Sequence, residues 1–334
     1  MRANRYQPGG TAPTRQPYLA DLLLRDLSVG TLRSLSPLPE DAQRVIDTTV
    51  VNVGLDRLVV VADLLAEGLT YNLPDPMGVM ELQWDVQSRA GFAIRVMNPS
   101  ARGENQLPDR TSRRLPIYLT TDDFNLGIRT LRASQRVGAP LDTSGIANAT
   151  RNVNEAIEDA AINGVDFTVN GNSAPGIINA PNANNFVYET GTAWDNAGKT
   201  GEEILADVMG MVDMAQADRR FGPYNLYIPT TYGNKINADF KSNGDKTIRM
   251  RLEEIVAGGR PLRIRVADKL PANRTALVQM TNDVIDIVDG QSPVAIPWTS
   301  PDGFTLFWLV MAIMVPRVKD DYDDHSGIVV GFTS

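Results

Sequence analysis

The sequence contains no cysteine and only one histidine, His325, in 334 residues. The first absence removes disulfides, thiolate metal sites and cysteine nucleophiles. The second removes most serine-triad, zinc and imidazole acid–base schemes, because each needs at least one well-placed ring. Lysine does not occur before Lys199. Long hydrophobic runs are also missing: the longest, FTLFWLVMAIMVP, has about 13 residues, against the roughly 20 that a membrane helix needs. That run reads as a buried strand. The N-terminal stretch MRANRYQPGGTAPTRQPY has no apolar core of the kind a signal peptide carries.

What is present points to a folded, acidic chain. A hydrophobic content of 43% supplies one large or two modest cores. Charged residues make up 22%, close to the average of soluble domains. The net charge of -8 means that a uniform surface would repel nucleic acid, so any such contact has to be local.

Residues 1–17 are rich in Pro, Gly, Thr and Arg and read as an extended arm bearing Arg2, Arg5 and Arg15, with no acid before Asp21. Such an arm suits draping over a neighbouring subunit or touching nucleic acid; its composition equally fits a frayed tail. In YLADLLLRDLSVGTLRSL, Leu19, Leu22, Leu23 and Leu27 fall at helical spacing and form an apolar face that needs something to lie on. A second helix follows in PEDAQRVIDTTVVNVGL, with Pro39 and Glu40 in its first turn.

Residues 75–115 differ in character. MGVMELQWDVQSRAGFAIRVM is strand-like, and NPSARGENQLPDRTSRR is polar and arginine-rich. Together they predict a long two-stranded excursion. A lone ribbon is marginal in water, so it needs the body of the fold or another molecule for support. Its arginines, at 89, 95, 102, 110, 113 and 114, lack the interleaved aromatic platforms of a nucleic-acid groove and suit inter-subunit ion pairs better.

ATRNVNEAIEDAAINGVDFTVNG predicts a long helix over residues 142–163. Ile146, Ala149, Val153, Ile157 and Ala160 mark one face, Asp142 or Thr143 can cap the start, and Gly164 is a natural stop. Thr200 and Glu203 form a capping box for a helix in TGEEILADVMGMVDMAQADRRFG. PYNLYIPTTYGNKINADF reads as a strand entering a helix. KSNGDK is a turn-rich loop, TIRMRLEEIVAGG a short helix, and the remainder is mainly strand. FTLFWLVMAIMVPRV and GIVVGFTS are expected to pair as a hairpin around KDDYDDHS.

No motif amounts to a catalytic constellation. AWDNAGKT, residues 193–200, satisfies a relaxed phosphate-loop pattern in which Lys199 would reach phosphates and Thr200 would hold magnesium. Its first glycine is lost, and Trp194 and Asp195 stand where backbone must wrap an anion, so a loop entering a capped helix is the better reading. KDDYDDH gathers four aspartates and His325 but lacks the glycine and distal glutamate of a calcium loop. It is expected to be a solvated hairpin tip. GNSAPG lacks the nucleophile-elbow pattern. No catalytic residue, cofactor site or metal site is expected.

The order of these parts carries a resemblance. RRLPIYLTTDDFNLGIRTLRASQRVGAPLD, the long helix, and NGVDFTVNGNSAPGIINAP resemble the middle of an encapsulin-type shell protein, and encapsulins share the Hong Kong 97 phage capsid fold. GPYNLYIPTTYGNKINADF, RMRLEEIVAGGRPLRI and the ending VPRVKDDYDDHSGIVVGFTS continue the likeness, which covers roughly residues 38–334. The resemblance implies an α+β, Hong Kong 97-like fold. Its parts would be an N-terminal arm and helix at 1–38, a first peripheral segment at 39–74, and an extended loop at 75–115. A peripheral domain with the spine helix would occupy 116–221, an axial domain 222–300, and C-terminal peripheral strands 301–334. It also implies inter-subunit contacts through Arg2, Arg5, Arg15, Leu22, Leu23, Arg89, Arg95, Arg102 and Arg110. Asp239, Lys241, Asn243, Asp245 and Lys246 would ring an axial opening.

The family pattern is not matched throughout. Some members crosslink an extended-loop lysine to an asparagine; with no lysine before Lys199, no such bond is expected here. Some phage subunits carry a cleaved N-terminal scaffolding segment; here a separate scaffolding protein is expected instead. The resemblance implies a major capsid protein of a tailed double-stranded DNA phage. It would be assembled in the host cytoplasm as pentamers and hexamers of an icosahedral shell, with a portal, with weak non-specific contact to packaged DNA, and with no membrane partner. The alternatives are an encapsulin nanocompartment holding a cargo enzyme and, from the enzyme class, a phosphate-loop NTPase.

Overall fold

The structure, a computed structural model, describes residues 50, 58–89, 95, 97, 107–130, 144–241, 244 and 246–333. Helix α1 (Val60–Ala66) opens on a run of valines, residues that favour strands. It is helical because its first amides have an acceptor far along the chain. The Glu158 carboxylate takes the N–H of Val59 at 3.2 Å, of Val60 at 2.7 Å and of Val61 at 3.1 Å. A buried carboxylate thus caps a helix whose own N-cap residue offers no side chain for the purpose.

Strand β1 (Thr70–Asn72) is followed by the ribbon, β2 (Glu81–Gln87) and β3 (Arg110–Pro116), paired antiparallel from Glu81↔Pro116 to Gln87↔Arg110. β4 (Thr120–Gly127) leads towards the spine, α2 (Ser144–Asn163), about 30 Å long at 1.5 Å per residue. Ile146, Ala149, Val153 and Ile157 bury one face of α2, as the spacing predicts, and Ala161 rather than the expected Ala160 continues it in this core. Its C-terminal carbonyls are not left open: Ile177 N–H donates to Ala161 O and Ile178 N–H to Ile162 O. That return requires backbone to pass against backbone. A Cβ on Gly164, whose φ is +75°, would lie 2.7 Å from the Gly176 nitrogen.

A small hairpin, β5 (Thr168–Val169) and β6 (Asn172–Ser173), turns at Asn170 and Gly171, both at positive φ. β7 (Asn184–Val187) precedes α3 (Gly201–Ala217), which begins with the expected capping box of Thr200 and Glu203. Then come β8 (Tyr224–Ile228), α4 (Thr230–Ile236), α5 (Ile248–Glu253), the two-residue strands β9 (Val256–Ala257) and β10 (Arg260–Pro261), and β11 (Arg263–Val266). The chain closes with β12 (Arg274–Gln279), the long pair β13 (Ile285–Thr299) and β14 (Thr305–Val318), and β15 (Ile328–Phe332).

Two sheets organise these elements: β1-β13-β14-β4 and β11-β8-β12-β15-β7. The α2 face packs with α1 and with Leu306, Trp308, Val310 and Ala312 of β14; Phe124 of β4 stacks on Trp308 at 4.8 Å. The second core joins α3, α4 and α5 to one face of the five-stranded sheet through residues such as Val208, Met211, Leu226, Tyr232 and Leu277. Period-two alternation makes that sheet a wall between the cores. In β15, Ile328 and Val330 face the first core and Val329 the second; in β12, Val278 and Leu277 divide the same way.

That double burial corrects the expected C-terminal hairpin. β14 pairs with β13 and β4, whereas β15 lies between β12 and β7 in the other sheet. A strand apolar on both faces belongs in the middle of a covered sheet. Residues 319–326 are therefore a crossover. α3 packs in the second core, with β8 and β15, and β13 belongs to the spine-backed sheet. No helix among the described residues is long and apolar enough to cross a membrane.

Candidate inter-subunit surfaces

The ribbon has two unlike faces. Leu82, Trp84, Arg113 and Leu115 alternate onto one side, where Leu73, Ala174, Val288 and Val315 receive its root. Gln83, Asp85, Ser112 and Arg114 occupy the other, joined by Gln83 Nε2 to Ser112 Oγ at 3.1 Å and Ser112 Oγ to Asp85 Oδ1 at 2.6 Å. Behind the root, the Arg317 guanidinium stacks over the rings of Tyr71 and Trp84, at 4.6 and 5.5 Å. It pairs with buried Asp286, which also accepts Lys319 Nζ at 2.7 Å.

The aspartate-rich crossover holds the ribbon. Arg113 Nη2 reaches Asp320 Oδ2 at 2.7 Å and Asp324 Oδ1 at 3.3 Å, and Asn182 Nδ2 donates to the same two oxygens at 2.8 and 2.9 Å. Tyr322 O–H donates to Asp109 Oδ2 at 2.7 Å; this bond, with the Arg110 amide, holds the Asp109 carboxyl below its ordinary range and raises the Tyr322 phenol. KDDYDDH is thus a bracket for β3, and the expectation of a solvated tip is corrected: Asp320 is only 7% exposed. His325 is folded into the same turn, its Nδ1 3.2 Å from Asp321 Oδ2. Among the described residues no group of acids and histidine has the arrangement of a metal site.

The phosphate-loop pattern is committed elsewhere. Lys199 Nζ lies 2.8 Å from Asp207 Oδ2 and 2.6 Å from Thr190 Oγ1, with both charged side chains fully enclosed. Trp194 Nε1 donates to the same Asp207 oxygen, and Glu189 N–H to the other, each at 2.9 Å. Tyr188 and Tyr232 flank the Trp194 ring, and burial raises the phenol of Tyr232 to about 12. Thr200 caps α3 rather than facing a ligand. The node closes a core, and the Lys199 amine is spent inside it.

Of the residues expected at surfaces, Arg2, Arg5, Arg15, Leu22, Leu23, Arg102, Asn243 and Asp245 lie outside the described residues. Arg89, Arg95 and Arg110 are exposed. At the expected axial loop, Asp239 bridges to Thr247 and Phe240 N–H donates to Lys246 O. Lys241 turns back to Glu202 at 2.6 Å and Lys246 to Glu254, which Arg251 also meets. Those lysines therefore serve acids of their own subunit. Sequence patterning overlooked Trp84, Asp320 and Asp324 as ribbon contacts. A tryptophan in an alternating strand opposite an arginine was the available signal.

The geometry defines a class. Among solved structures, the chain is similar to a virus-like particle from Pyrococcus furiosus, with 19% identity, 86% of this chain and 98% of that one covered, and a TM-score of 0.59. It is similar to the capsid of Myoviridae Phage XM1, with 10% identity, 98% and 100% covered, and a TM-score of 0.63. It is similar also to the capsid of an empty GTA particle, with 12% identity, 83% and 91% covered, and a TM-score of 0.59. The chain has the Hong Kong 97-like capsid fold. No curated protein matches it in sequence. It belongs to the family described as a family of unknown function, DUF6260, whose model matches residues 35–331.

Proposed function

We propose that this chain is a capsid shell subunit whose work is self-association. Copies form pentamers and hexamers and close into an icosahedral shell, the closed symmetry that shell proteins use. The observation that carries the reading is the fold over nearly its whole length, matched end to end by the capsid of a phage. The ribbon adds to it: a two-stranded element rooted on the body but bearing a polar, ion-bearing outer face is built to meet something outside its own subunit.

On this reading the spine-backed sheet and the ribbon are the peripheral domain and extended loop, and the five-stranded sheet with α3, α4 and α5 is the axial domain. The particle is the shell of a tailed double-stranded DNA phage, assembled in the host cytoplasm around its genome with a separate scaffolding protein and a portal. No chemistry is assigned to any side chain, and buried Lys199 argues against nucleotide turnover. A second reading, an encapsulin compartment holding a cargo enzyme, is favoured by the similarity to the Pyrococcus furiosus particle.

Electron microscopy of the purified chain tests the shell: hollow closed particles are expected, and a monomer at every concentration and salt condition would end the proposal. Particle content then separates the readings. Nucleic acid and a portal support the phage; a co-purifying enzyme supports the compartment.

A further inference from the structure

The crossover between β14 and β15, residues 319–326, is crowded with charge of one sign. It carries Asp320, Asp321, Asp323 and Asp324, and its own basic residues are Lys319 and His325. Lys319 Nζ is engaged by Asp286 and by the Asn282 carbonyl. The guanidinium groups that meet the aspartates come from outside the turn, and from two different directions. Arg113 of the ribbon holds Asp320 at 2.7 Å and Asp324 at 3.3 Å. Arg220, in the turn that joins α3 to β8, lies 3.9 Å from Asp321, donates to the His325 carbonyl at 3.5 Å, and pairs with Asp283. Between them the crossover is held in a shape that is not free. The Asp321 carboxylate accepts the amides of Asp323 at 3.0 Å and His325 at 2.8 Å, which folds the turn. Asp324 sits at a φ of +61°, a conformation that a residue other than glycine adopts at a cost. Asp320 and Asp324 are drawn together around one guanidinium and the Asn182 amide, and without that guanidinium the two carboxylates repel.

We propose that this turn is a two-sided clasp: Arg113 and Arg220 stabilise one conformation of the crossover, so that releasing either arginine loosens the hold on the other. The coupling runs through Asp321. Its carboxylate meets Arg220 on one side and, by folding the turn, positions Asp320 and Asp324 for Arg113 on the other. The ribbon and the segment beside α3 are thereby linked although their arginines reach different carboxylates. A coupling of this kind is reciprocal, because both ends bias the same element. It is a property of one subunit and goes beyond the shell reading. In a shell, a neighbour that draws on the ribbon would also change the packing beside α3 of the copy it touches.

Amide hydrogen exchange of the full-length chain, read by mass spectrometry, tests the clasp from both ends. Arg113→Gln removes the charge on the ribbon side. It is expected to quicken exchange at least about threefold in residues 219–222, whose amides are held by Gln216, Ala215 and Gln279. Asp321→Ala works from the other side. Among the described residues, the Asp321 side chain is bonded to Asp323, His325 and Arg220, and it is 40% exposed. Its loss is expected to quicken β2 and β3 by a similar factor, and Arg220→Gln to do the same. Arg114→Gln, on the other face of the ribbon, is expected to leave residues 219–222 unchanged. Amides of α2 are expected to stay unchanged in every variant. Unchanged exchange at the far end in either direction would overturn the clasp, since one coupling free energy is read from both ends. Equal acceleration in α2, or an Arg114→Gln variant that acts like Arg113→Gln, would show general loosening and overturn it as well. Should Arg220→Gln fail to fold, Asp321→Ala decides that direction alone. The measurement needs no assembled particle, so its outcome is independent of the shell reading.

Discussion

The interior beside α3 and the root of the ribbon handle the same chemistry in opposite ways. Around Asp207 every group is matched: Lys199, Trp194 and the Glu189 amide all converge on one carboxylate, and the lysine finds Thr190 as well. Around Arg113 the matching is incomplete. Two carboxylates, themselves held by Asn182 Nδ2, take one edge of the guanidinium, while Nε and the neighbouring Trp84 Nε1 have no partner. A closed node of charge is a folding device, because breaking it strands a buried ion. An open node already leaves donors unmatched within the subunit, so losing it costs the fold less. The two should respond differently to substitution.

The largest effect is expected at the closed node. Lys199→Ala leaves Asp207 buried without its counter-ion, which should cost about 3–5 kcal/mol. Urea unfolding of the subunit measures it, and a loss below roughly 1 kcal/mol would mean that water reaches this site and that the node is not closed.

Glu158 comes next. Glu158→Ala removes the acceptor of three amides at the start of α1 and should destabilise the subunit by about 3 kcal/mol. The pH dependence has a definite sign. Burial raises the Glu158 carboxyl above its ordinary 4.5, outweighing the three amides that lower it; Asp268 adds to the rise. A carboxyl raised in the folded state contributes stability that is fully present below 4.5 and is lost as pH climbs through its raised value. Buried Asp63 of α1 accepts from buried Tyr227 of β8, O–H to Oδ2 at 3.2 Å, and from the exposed Arg265 of β11 at 3.0 Å. Glu158→Gln should therefore flatten the fall in unfolding free energy between pH 4 and neutrality; an unchanged slope would show that another group is responsible.

These two residues also mark how far the sequence could be read. The spine was legible because its apolar residues repeat at three and four, and the α3 start because Thr200 and Glu203 are a local pair. The ribbon was legible from alternation at Leu82, Trp84 and Val86. What stayed hidden depends on partners distant in the chain. Val59–Val61 are β-branched residues that favour strands, and Glu158, close to 100 positions away, is what lets a helix start there. KDDYDDH read as a solvated tip because nothing local says that Arg113 and Asn182 will meet it. β15 read as half of a hairpin because its two-sided burial is a property of the assembled sheet.

At the open node the expected loss of stability is smaller. Arg113→Ala removes contacts to Asp320 and Asp324 but leaves the apolar root of Leu73, Leu115, Val288 and Val315 in place. The guanidinium is about a third exposed, and the cost should be about 1 kcal/mol. The informative readout is local. Amide exchange should quicken in β2 and β3 and stay unchanged in α2, because the ribbon loses its bracket while the spine does not. Equal acceleration in both would show that ribbon and body unfold as one unit and would erase the distinction drawn between them.

The smallest effect belongs to Lys241. Its partner Glu202 stands at the start of α3, and both side chains are more than 60% exposed. An exposed pair gives up side-chain freedom for a Coulomb term that water and salt screen, so Lys241→Ala should change subunit stability by less than about 0.5 kcal/mol. The same substitution separates a surface pair from an assembly contact. If the loop rings an axial opening, its charge matters only where several copies bring their loops together. Particle formation by Lys241→Glu should then depend on salt even though the unfolding of its subunit does not. Salt-independent assembly of Lys241→Glu, indistinguishable from wild type, would place this loop away from any ring of like charges.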